Sequence, residues 1–99
     1  MTEIKTIPDV TTIAGEIKAL VANVAGQPAE SIDDAAGLDT LGIDSLLIVE
    51  VVVGIQRRFG VQVPPSEFRA DIRTVGQVCE VLGAFVHGTL SAEPIAAQG

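Results

Sequence analysis

Three stretches of the sequence place apolar residues at the spacing of an α-helix, and this periodicity constrains the fold more than any other feature. Apolar residues at i, i+4, i+7 and i+8 share one side of a helix. In the first stretch, residues 12–25, they are Ile13, Ile17, Leu20, Val21 and Val24. Thr12 is a suitable N-cap, and Gly26 followed by Pro28 ends the pattern. The sequence therefore predicts a first helix over 12–25.

The second stretch begins at Asp44 or Ser45 and runs to Phe59. Its core-facing residues are Ile48, Val51, Val52, Ile55 and Phe59. The segment LLIVEVVV within it is rich in β-branched residues, which favour a strand. The helical pattern nevertheless continues past Gly54 to Phe59, and Gly60 follows as a typical residue just beyond a helix. We therefore predict a helix.

The third stretch covers residues 74–87, with Thr74 as its cap and Gly88 as its end. Its inward residues are Val75, Val78, Cys79, Leu82, Phe85 and Val86. The preceding VQVPP is predicted to be extended, because proline disfavours the helical conformation of its predecessor, and 66–69 can form a short helical turn. The small, polar residues 89–99 indicate a linker or flexible end. Together these elements predict an all-α fold, a small four-helix bundle of three main helices plus a short third helix.

The first two main helices are separated by a long connector over residues 26–43. A structureless stretch of this length is unusual in a compact domain and is more often functional than not. We expect an ordered loop held to the core by three apolar side chains: Ile32, Leu38 and Leu41.

Composition excludes several functional classes. The chain has 13 acidic and 6 basic residues and a net charge of -7, which opposes binding to nucleic acid. No apolar run approaches the roughly 20 residues of a membrane span, and residues 1–10 lack the apolar core of a signal peptide. A single cysteine, Cys79, excludes an internal disulfide and fits a reducing cytoplasm. We therefore expect a cytoplasmic domain that works with other proteins and binds neither nucleic acid nor membrane.

The residues that could support catalysis or metal binding do not form a reactive group. His87 falls at the predicted end of the last helix, where it would interact with the helix dipole, and Cys79 falls on an apolar stripe as a core thiol. The connector carboxylates do not fit a calcium loop, because Ala35 and Gly37 stand where oxygen ligands are required. We find no nucleophile–base pair and expect no independent enzyme.

The informative motif is LGIDSL at residues 41–46, where the connector becomes the second main helix. Asp44 or Ser45 could be simply an N-cap, which is a common use of both residue types. The positive end of a helix also stabilises an anion, so a phosphate ester on Ser45 would be favoured. The motif alone leaves both interpretations open.

LGIDSL resembles the attachment motif of acyl carrier proteins, in which the serine after Gly-x-Asp receives 4′-phosphopantetheine. The resemblance extends over residues 12–88 and includes the long connector, the segment FGVQVPPSEF and the Thr-Val start of the last helix. It implies an acyl carrier domain over 12–88, an N-terminal extension over 1–11 and a flexible tail over 89–99. It also implies a non-catalytic protein that tethers growing acyl or polyketide intermediates as thioesters on an arm attached to Ser45.

The resemblance further implies a set of partners. A separate phosphopantetheinyl transferase would use coenzyme A and magnesium to attach the arm, with Asp44 helping to position the phosphate and the metal. A ketosynthase, an acyltransferase and other synthase enzymes would then act on the tethered group. The carrier itself is expected to be a monomer. The resemblance leaves open whether the chain is a discrete protein or a domain of a larger synthase.

The resemblance implies that these enzymes dock on a second face of the second main helix. This face consists of Leu46, Val49, Glu50, Val53 and Arg57. Discrete bacterial fatty-acid carriers usually bear several carboxylates here, whereas this face has one carboxylate and a cationic end, so it looks more like the carriers of polyketide synthases. The alternative is that its apolar residues only widen the contact with the core.

Two further functions stay open. The chain could be a peptidyl carrier domain of nonribosomal synthesis. The attachment motif of those domains is similar to Gly-Gly-[His/Asp]-Ser, however, whereas this chain has Gly42, Ile43 and Asp44 before Ser45. It could also be a helical interaction module in which Ser45 only caps a helix and the apolar face binds a partner helix.

Overall fold

The computed structural model describes residues 8–67 and 72–96 of the chain. They form three α-helices, α1 (Val10–Ala25), α2 (Ser45–Phe59) and α3 (Val75–Ala96), and two single-turn 3-10 helices, Ala29–Ser31 and Pro65–Glu67. The described ranges contain no β-strand, so the all-α prediction is confirmed. The predicted short helix over 66–69 overlaps the second 3-10 turn, but Phe68 and Arg69 lie outside the described residues.

Helix α1 begins two residues earlier than predicted. The carboxylate of Asp9 accepts a 2.8 Å hydrogen bond from the amide of Thr12, so Asp9 is the N-cap. The assignment of Thr12 as the cap was wrong, because an aspartate three residues upstream satisfies the amide of Thr12 first. Gly26 ends the helix as predicted, at a φ of 74° that favours glycine.

Helix α2 has the predicted bounds despite its β-branched residues. The side chain of Asp44 caps its first turn, and Gly60 ends it with a φ of 69°. Val51 and Ile55 are fully buried, while the other predicted core residues of this helix are partly buried against the same cluster: Ile48, Val52 and Phe59. Burial of this face against the other helices therefore outweighs the strand preference of the isolated sequence.

Helix α3 starts with a reciprocal cap. The amide of Gln77 donates to the Thr74 hydroxyl at 3.2 Å, and the amide of Thr74 donates to the Gln77 side-chain oxygen at 3.1 Å. This arrangement confirms Thr74 as the predicted cap.

The end of α3 differs from the prediction. The helix continues through Gly88 to Ala96, and Leu90 packs against the core. Gly88 does not adopt a positive φ, so it is an interior glycine that weakens the helix without ending it. His87 consequently lies inside α3 and not at its C-terminus, so the predicted interaction with the helix dipole was wrong.

The core lies where α1 packs against α3 and α2. Buried residues of all three helices contribute, as do residues outside them: Ile32, Leu38, Ile43, Val61, Val63 and Ile72. Two of the three predicted anchors of the connector, Ile32 and Leu38, are buried, and Leu41 is partly buried. No helix within the described residues is long and apolar enough to cross a lipid bilayer.

The connector is bonded to the beginning of α3. The amide of Leu38 donates to the carbonyl of Arg73 at 2.8 Å, and the amide of Val75 donates to the carbonyl of Ala36 at 3.0 Å. An ion pair of 3.1 Å between Lys18 and Asp34 joins the same segment to α1. The connector is therefore attached to α1 and α3 before it leads into α2.

Candidate functional site

Ser45 is the first residue of α2, and its side chain is exposed. The cap of this helix is the neighbouring residue, because the Asp44 carboxylate accepts a 3.0 Å hydrogen bond from the amide of Leu47. Of the two residues that the sequence offered as caps, the structure assigns the cap to Asp44. The hydroxyl of Ser45 is therefore available for chemistry at the surface.

A turn around Gly42 brings Ser45 to this position. Gly42 has a φ of 78°, a conformation that side chains rarely adopt, and its amide donates to the carbonyl of Asp39 at 3.0 Å. The amide of Ile43 donates to the carbonyl of Leu38 at 2.9 Å, and the Ile43 side chain is buried. The chain thus reverses at Gly42, is fixed at Ile43 and emerges at the surface at Ser45. Ile43 is not among the anchors predicted from the sequence, although an apolar residue beside Gly42 was a visible signal.

The environment of Ser45 fits a phosphate ester. The first amides of an α-helix have no partner within the helix, and they carry partial positive charge. Asp44 satisfies the amide of Leu47, which leaves the preceding amides, those of Ser45 and Leu46, at the end of the helix that attracts anions. A phosphate joined to the oxygen of Ser45 would therefore lie at an exposed position beside a favourable helix end.

The single cysteine does not belong to this exposed site. Cys79 is buried in the core, and burial followed by the charge of Asp34 raises the pKa of its thiol to about 11. It is therefore a neutral thiol at pH 7, and its buried position confirms the predicted core thiol. Residues 8–67 and 72–96 contain no group of three or more His, Cys, Asp or Glu side chains that could hold a metal ion.

The predicted docking residues share the side of α2 that points away from the core. Leu46 is 68% exposed and Val49 is 55% exposed, which are high values for large apolar side chains. Glu50 and Arg57 are exposed, and Val53 is partly buried. Val51 and Ile55 lie on the opposite side of the helix, in the core. We call the five residues Leu46, Val49, Glu50, Val53 and Arg57 the outward face of α2.

A contact between α1 and α2 was not anticipated from the sequence. The Arg58 guanidinium donates to the carboxylate of Glu16, and these two side chains border a shallow groove that also includes Ala19, Leu20 and Asn23. The paired residues are 42 positions apart, so no local sequence pattern could reveal the pair. Arg58 is thus directed toward α1, whereas its neighbour Arg57 belongs to the outward face.

Comparison with known proteins identifies the family. The family described as "Phosphopantetheine attachment site" matches residues 15–82, which include Ser45. An acyl carrier protein of Rhodococcus erythropolis is 39% identical over 67 residues, which cover 67% of this chain and 72% of the relative. A meromycolate extension acyl carrier protein of Mycobacterium tuberculosis is 36% identical over 87 residues, covering 87% of this chain and 70% of that protein.

A third relative is much longer than this chain. The non-reducing polyketide synthase Preu3 of Preussia isomera is 34% identical over 81 residues, which cover 80% of this chain and 3% of the synthase. The similarity to the synthase is therefore confined to one small part of it. The chain belongs to the phosphopantetheine attachment-site family of acyl carrier proteins and carrier domains, which are not themselves enzymes but carry acyl intermediates on covalently attached 4′-phosphopantetheine.

Proposed function

We propose that Ser45 is the residue that receives 4′-phosphopantetheine and that the chain tethers growing acyl intermediates for a polyketide synthase. One observation carries the choice of Ser45. Asp44 forms the cap of α2, so the ordinary structural role of a serine at a helix start is already filled while Ser45 remains exposed. The same serine lies in LGIDSL and within the residues matched by the family.

The proposed chemistry assigns few tasks to this chain. When attached, the arm supplies a terminal thiol that holds acyl groups as thioesters. Ser45 provides the oxygen of the phosphate ester, and the N-terminal end of α2 stabilises the negative charge. Asp44 caps the helix and, in the complex with the transferase, helps to position the phosphate and its magnesium. The base that activates Ser45 belongs to the transferase, so this chain requires no base of its own.

The assignment to polyketide synthesis rests on the outward face. It has one carboxylate, Glu50, and a cationic end at Arg57. Similarity to one small part of the polyketide synthase Preu3 supports this assignment. The alternative is a fatty-acyl pathway, which the similarity to discrete acyl carrier proteins favours. A peptidyl carrier is a weaker alternative than either acyl pathway, because Ile43 stands where the motif of peptidyl carriers has its second glycine.

The proposal includes partners and organisation. The partners are a phosphopantetheinyl transferase, a ketosynthase, an acyltransferase and other synthase enzymes, which dock on the outward face of α2. The carrier works as a monomer in the cytoplasm. Its carrier domain is a four-helix bundle whose short third helix begins at the Pro65–Glu67 turn. The bounds of 12–88 expected from the sequence widen to the full lengths of α1 and α3, from Val10 to Ala96.

Attachment to Ser45 is tested by intact mass. The purified protein is incubated with coenzyme A, magnesium and a broad-specificity phosphopantetheinyl transferase. We expect the mass to increase by one phosphopantetheinyl group, and we expect Ser45→Ala to abolish the increase. The matched control is Ser91→Ala, which removes an exposed hydroxyl from α3 instead of α2 and should load normally. A mass increase that persists in Ser45→Ala would refute the assignment.

A further inference from the structure

We infer that the partner that binds the outward face of α2 presents an apolar surface to Leu46 and Val49 and carboxylates to Arg57. This inference rests on the proposed carrier function and specifies the chemistry of the partner. The exposure and the pairing of individual side chains on the outward face support it.

The half of the outward face that lies near Ser45 is apolar. Leu46 and Val49 are the two most exposed large apolar residues among those described, and they lie within about one turn of Ser45. Covering such side chains with another apolar surface is favourable, because it removes apolar area from water. The third exposed apolar residue, Val10, is on α1 and does not belong to this face. An enzyme that docks beside Ser45 therefore covers an apolar surface.

The charge of the outward face differs from that of the whole chain. The chain has a net charge of -7, yet the face has one acid, Glu50, and one base, Arg57. The face is therefore neutral overall, and its end remote from Ser45 is cationic. A partner with a strongly basic docking surface would gain nothing at Arg57. A partner with carboxylates at that position would gain a charge-assisted contact.

Arg57 is available to such a partner. The positions three and four residues away from it, which could pair with it along the chain, hold no acidic residue: Val53, Gly54, Gly60 and Val61. The ion pairs found between described residues use other cations, Arg58 with Glu16 and Lys18 with Asp34. The Arg57 side chain is exposed. It therefore extends from the outward face, where a partner can reach it.

Neither the helix dipole nor a second copy of the chain accounts for this surface. A cation in the last turn of a helix stabilises the helix dipole, but Arg58 occupies the same turn and supplies the same effect. A second copy could cover the apolar residues, but a strip about 16 Å long and about 10 Å wide on one helix covers on the order of 160 Å², which is far less than the roughly 800 Å² per partner of a stable interface. Two chains of charge -7 also repel each other.

The test measures binding without the arm. The Kd of Ser45→Ala protein for the purified ketosynthase of its own pathway is determined by calorimetry, with and without a further substitution. We expect Arg57→Gln to raise the Kd about threefold and Arg57→Glu to raise it about tenfold, with the difference shrinking at high salt. Arg58→Gln is the matched control, and we expect its Kd to stay within about twofold of the parent, because Arg58 faces α1. Glu50→Gln should lower the Kd about twofold, because it removes the one carboxylate of the face that would repel the carboxylates of the partner.

Unchanged or tighter binding by Arg57→Glu would overturn the inference, and so would equal weakening by Arg57→Gln and Arg58→Gln. Weaker binding by Glu50→Gln would also overturn it. Dimerisation of the carrier through the outward face would show that the occupant is a second copy of the chain. Failure of the proposed function is recognised separately, because it would appear as absence of Ser45 loading in the mass experiment. If Ser45 receives the arm but the Kd for the ketosynthase is the same with and without Arg57, only the inference about the partner is refuted.

Discussion

The amide of Gly76 donates a 2.8 Å hydrogen bond to the carbonyl oxygen of Asp34, which joins the first turn of α3 to the connector. A Cβ atom at Gly76 would lie 3.1 Å from that oxygen and 3.3 Å from the Asp34 Cβ. The side chain of Asp34 also pairs with Lys18 of α1. Asp34 is therefore the residue at which α1, the connector and α3 meet, and the absence of a side chain at Gly76 permits this approach.

Gly76→Ala is expected to destabilise the protein by about 1–3 kcal/mol, because the added methyl group would push the connector away from α3. Urea unfolding measures the change. The control is Gly88→Ala, also within α3, where a Cβ would meet no atom within 4 Å. That control should be stabilising by about 0.5–1 kcal/mol, because alanine is the better helix former. Equal effects of the two substitutions would contradict the role assigned to Gly76.

Local signals in the sequence predicted the bounds of α2 better than the ends of the other helices. Asp44 and Ser45 are adjacent, so either cap would place the start of α2 within one residue, and Gly60 directly after Phe59 ends it. At the start of α1, Asp9 and Thr12 are both good caps but stand three residues apart, and the sequence contains nothing that decides between them. At Gly88, a glycine after an apolar stripe resembles a helix end, but packing of Leu90 against the core keeps the helix intact.

Nonlocal contacts could not be predicted. The hydrogen bonds from the connector to α3 join backbone atoms, such as the Leu38 amide and the Arg73 carbonyl, and backbone bonding leaves no residue pattern. The pair of Arg58 and Glu16 is equally invisible, because any exposed arginine can have an acidic neighbour. For the site, the motif predicted where Ser45 lies, but only the structure showed that Asp44 caps the helix in its place.

Cys79 is expected to be unreactive in the folded protein. Burial raises the pKa of its thiol from 9.0 to about 11, so the thiolate is scarce at pH 8. A thiol reagent such as Ellman's reagent should therefore detect no thiol in the folded unloaded protein, one thiol after urea unfolding, and one thiol in the folded protein carrying the arm. Reaction of the folded Ser45→Ala protein at the rate of the unfolded chain would contradict the buried position.

The same pKa predicts how stability changes at alkaline pH. The neutral thiol is favoured in the folded state, so its contribution is complete below pH 9.0 and is lost as the pH rises through about 11. We therefore expect the wild-type protein to lose stability over this interval relative to Cys79→Ala, whose side chain does not titrate. Thermal unfolding of both proteins between neutral and alkaline pH measures the difference, and parallel curves would contradict the raised pKa.

Substitutions at Asp44 separate its two proposed roles. Asp44→Asn retains a side-chain oxygen that can cap α2, so we expect an unchanged unfolding temperature but slower loading of Ser45 by the transferase. Asp44→Ala loses the 3.0 Å bond to the Leu47 amide and should also cost about 1 kcal/mol of stability. Thermal unfolding and the rate of mass increase are measured in parallel. Normal loading of Asp44→Asn would leave this residue with the cap role alone.

Val49→Asp tests the apolar half of the outward face. Val49 is 55% exposed, so a carboxylate there should leave the helical circular dichroism signal unchanged. It should slow acyl transfer by the cognate ketosynthase about tenfold, because the charge would be desolvated against an apolar partner. The control is Val10→Asp, which alters an apolar residue of 43% exposure on α1. Equal transfer rates of both variants would show that the partner does not contact Val49.

The buried Ile43 and the bonds between the connector and α3 have a further consequence for substrate delivery. They hold the backbone two residues before Ser45 against the core, so an arm on Ser45 would extend from a defined position at the start of the outward face of α2. The length of the arm then limits how far beyond that position a tethered acyl group can reach. It sets a maximum depth at which the reacting residue of an enzyme can lie, so the carrier would select its enzymes by the depth of their active sites as well as by the chemistry of their surfaces.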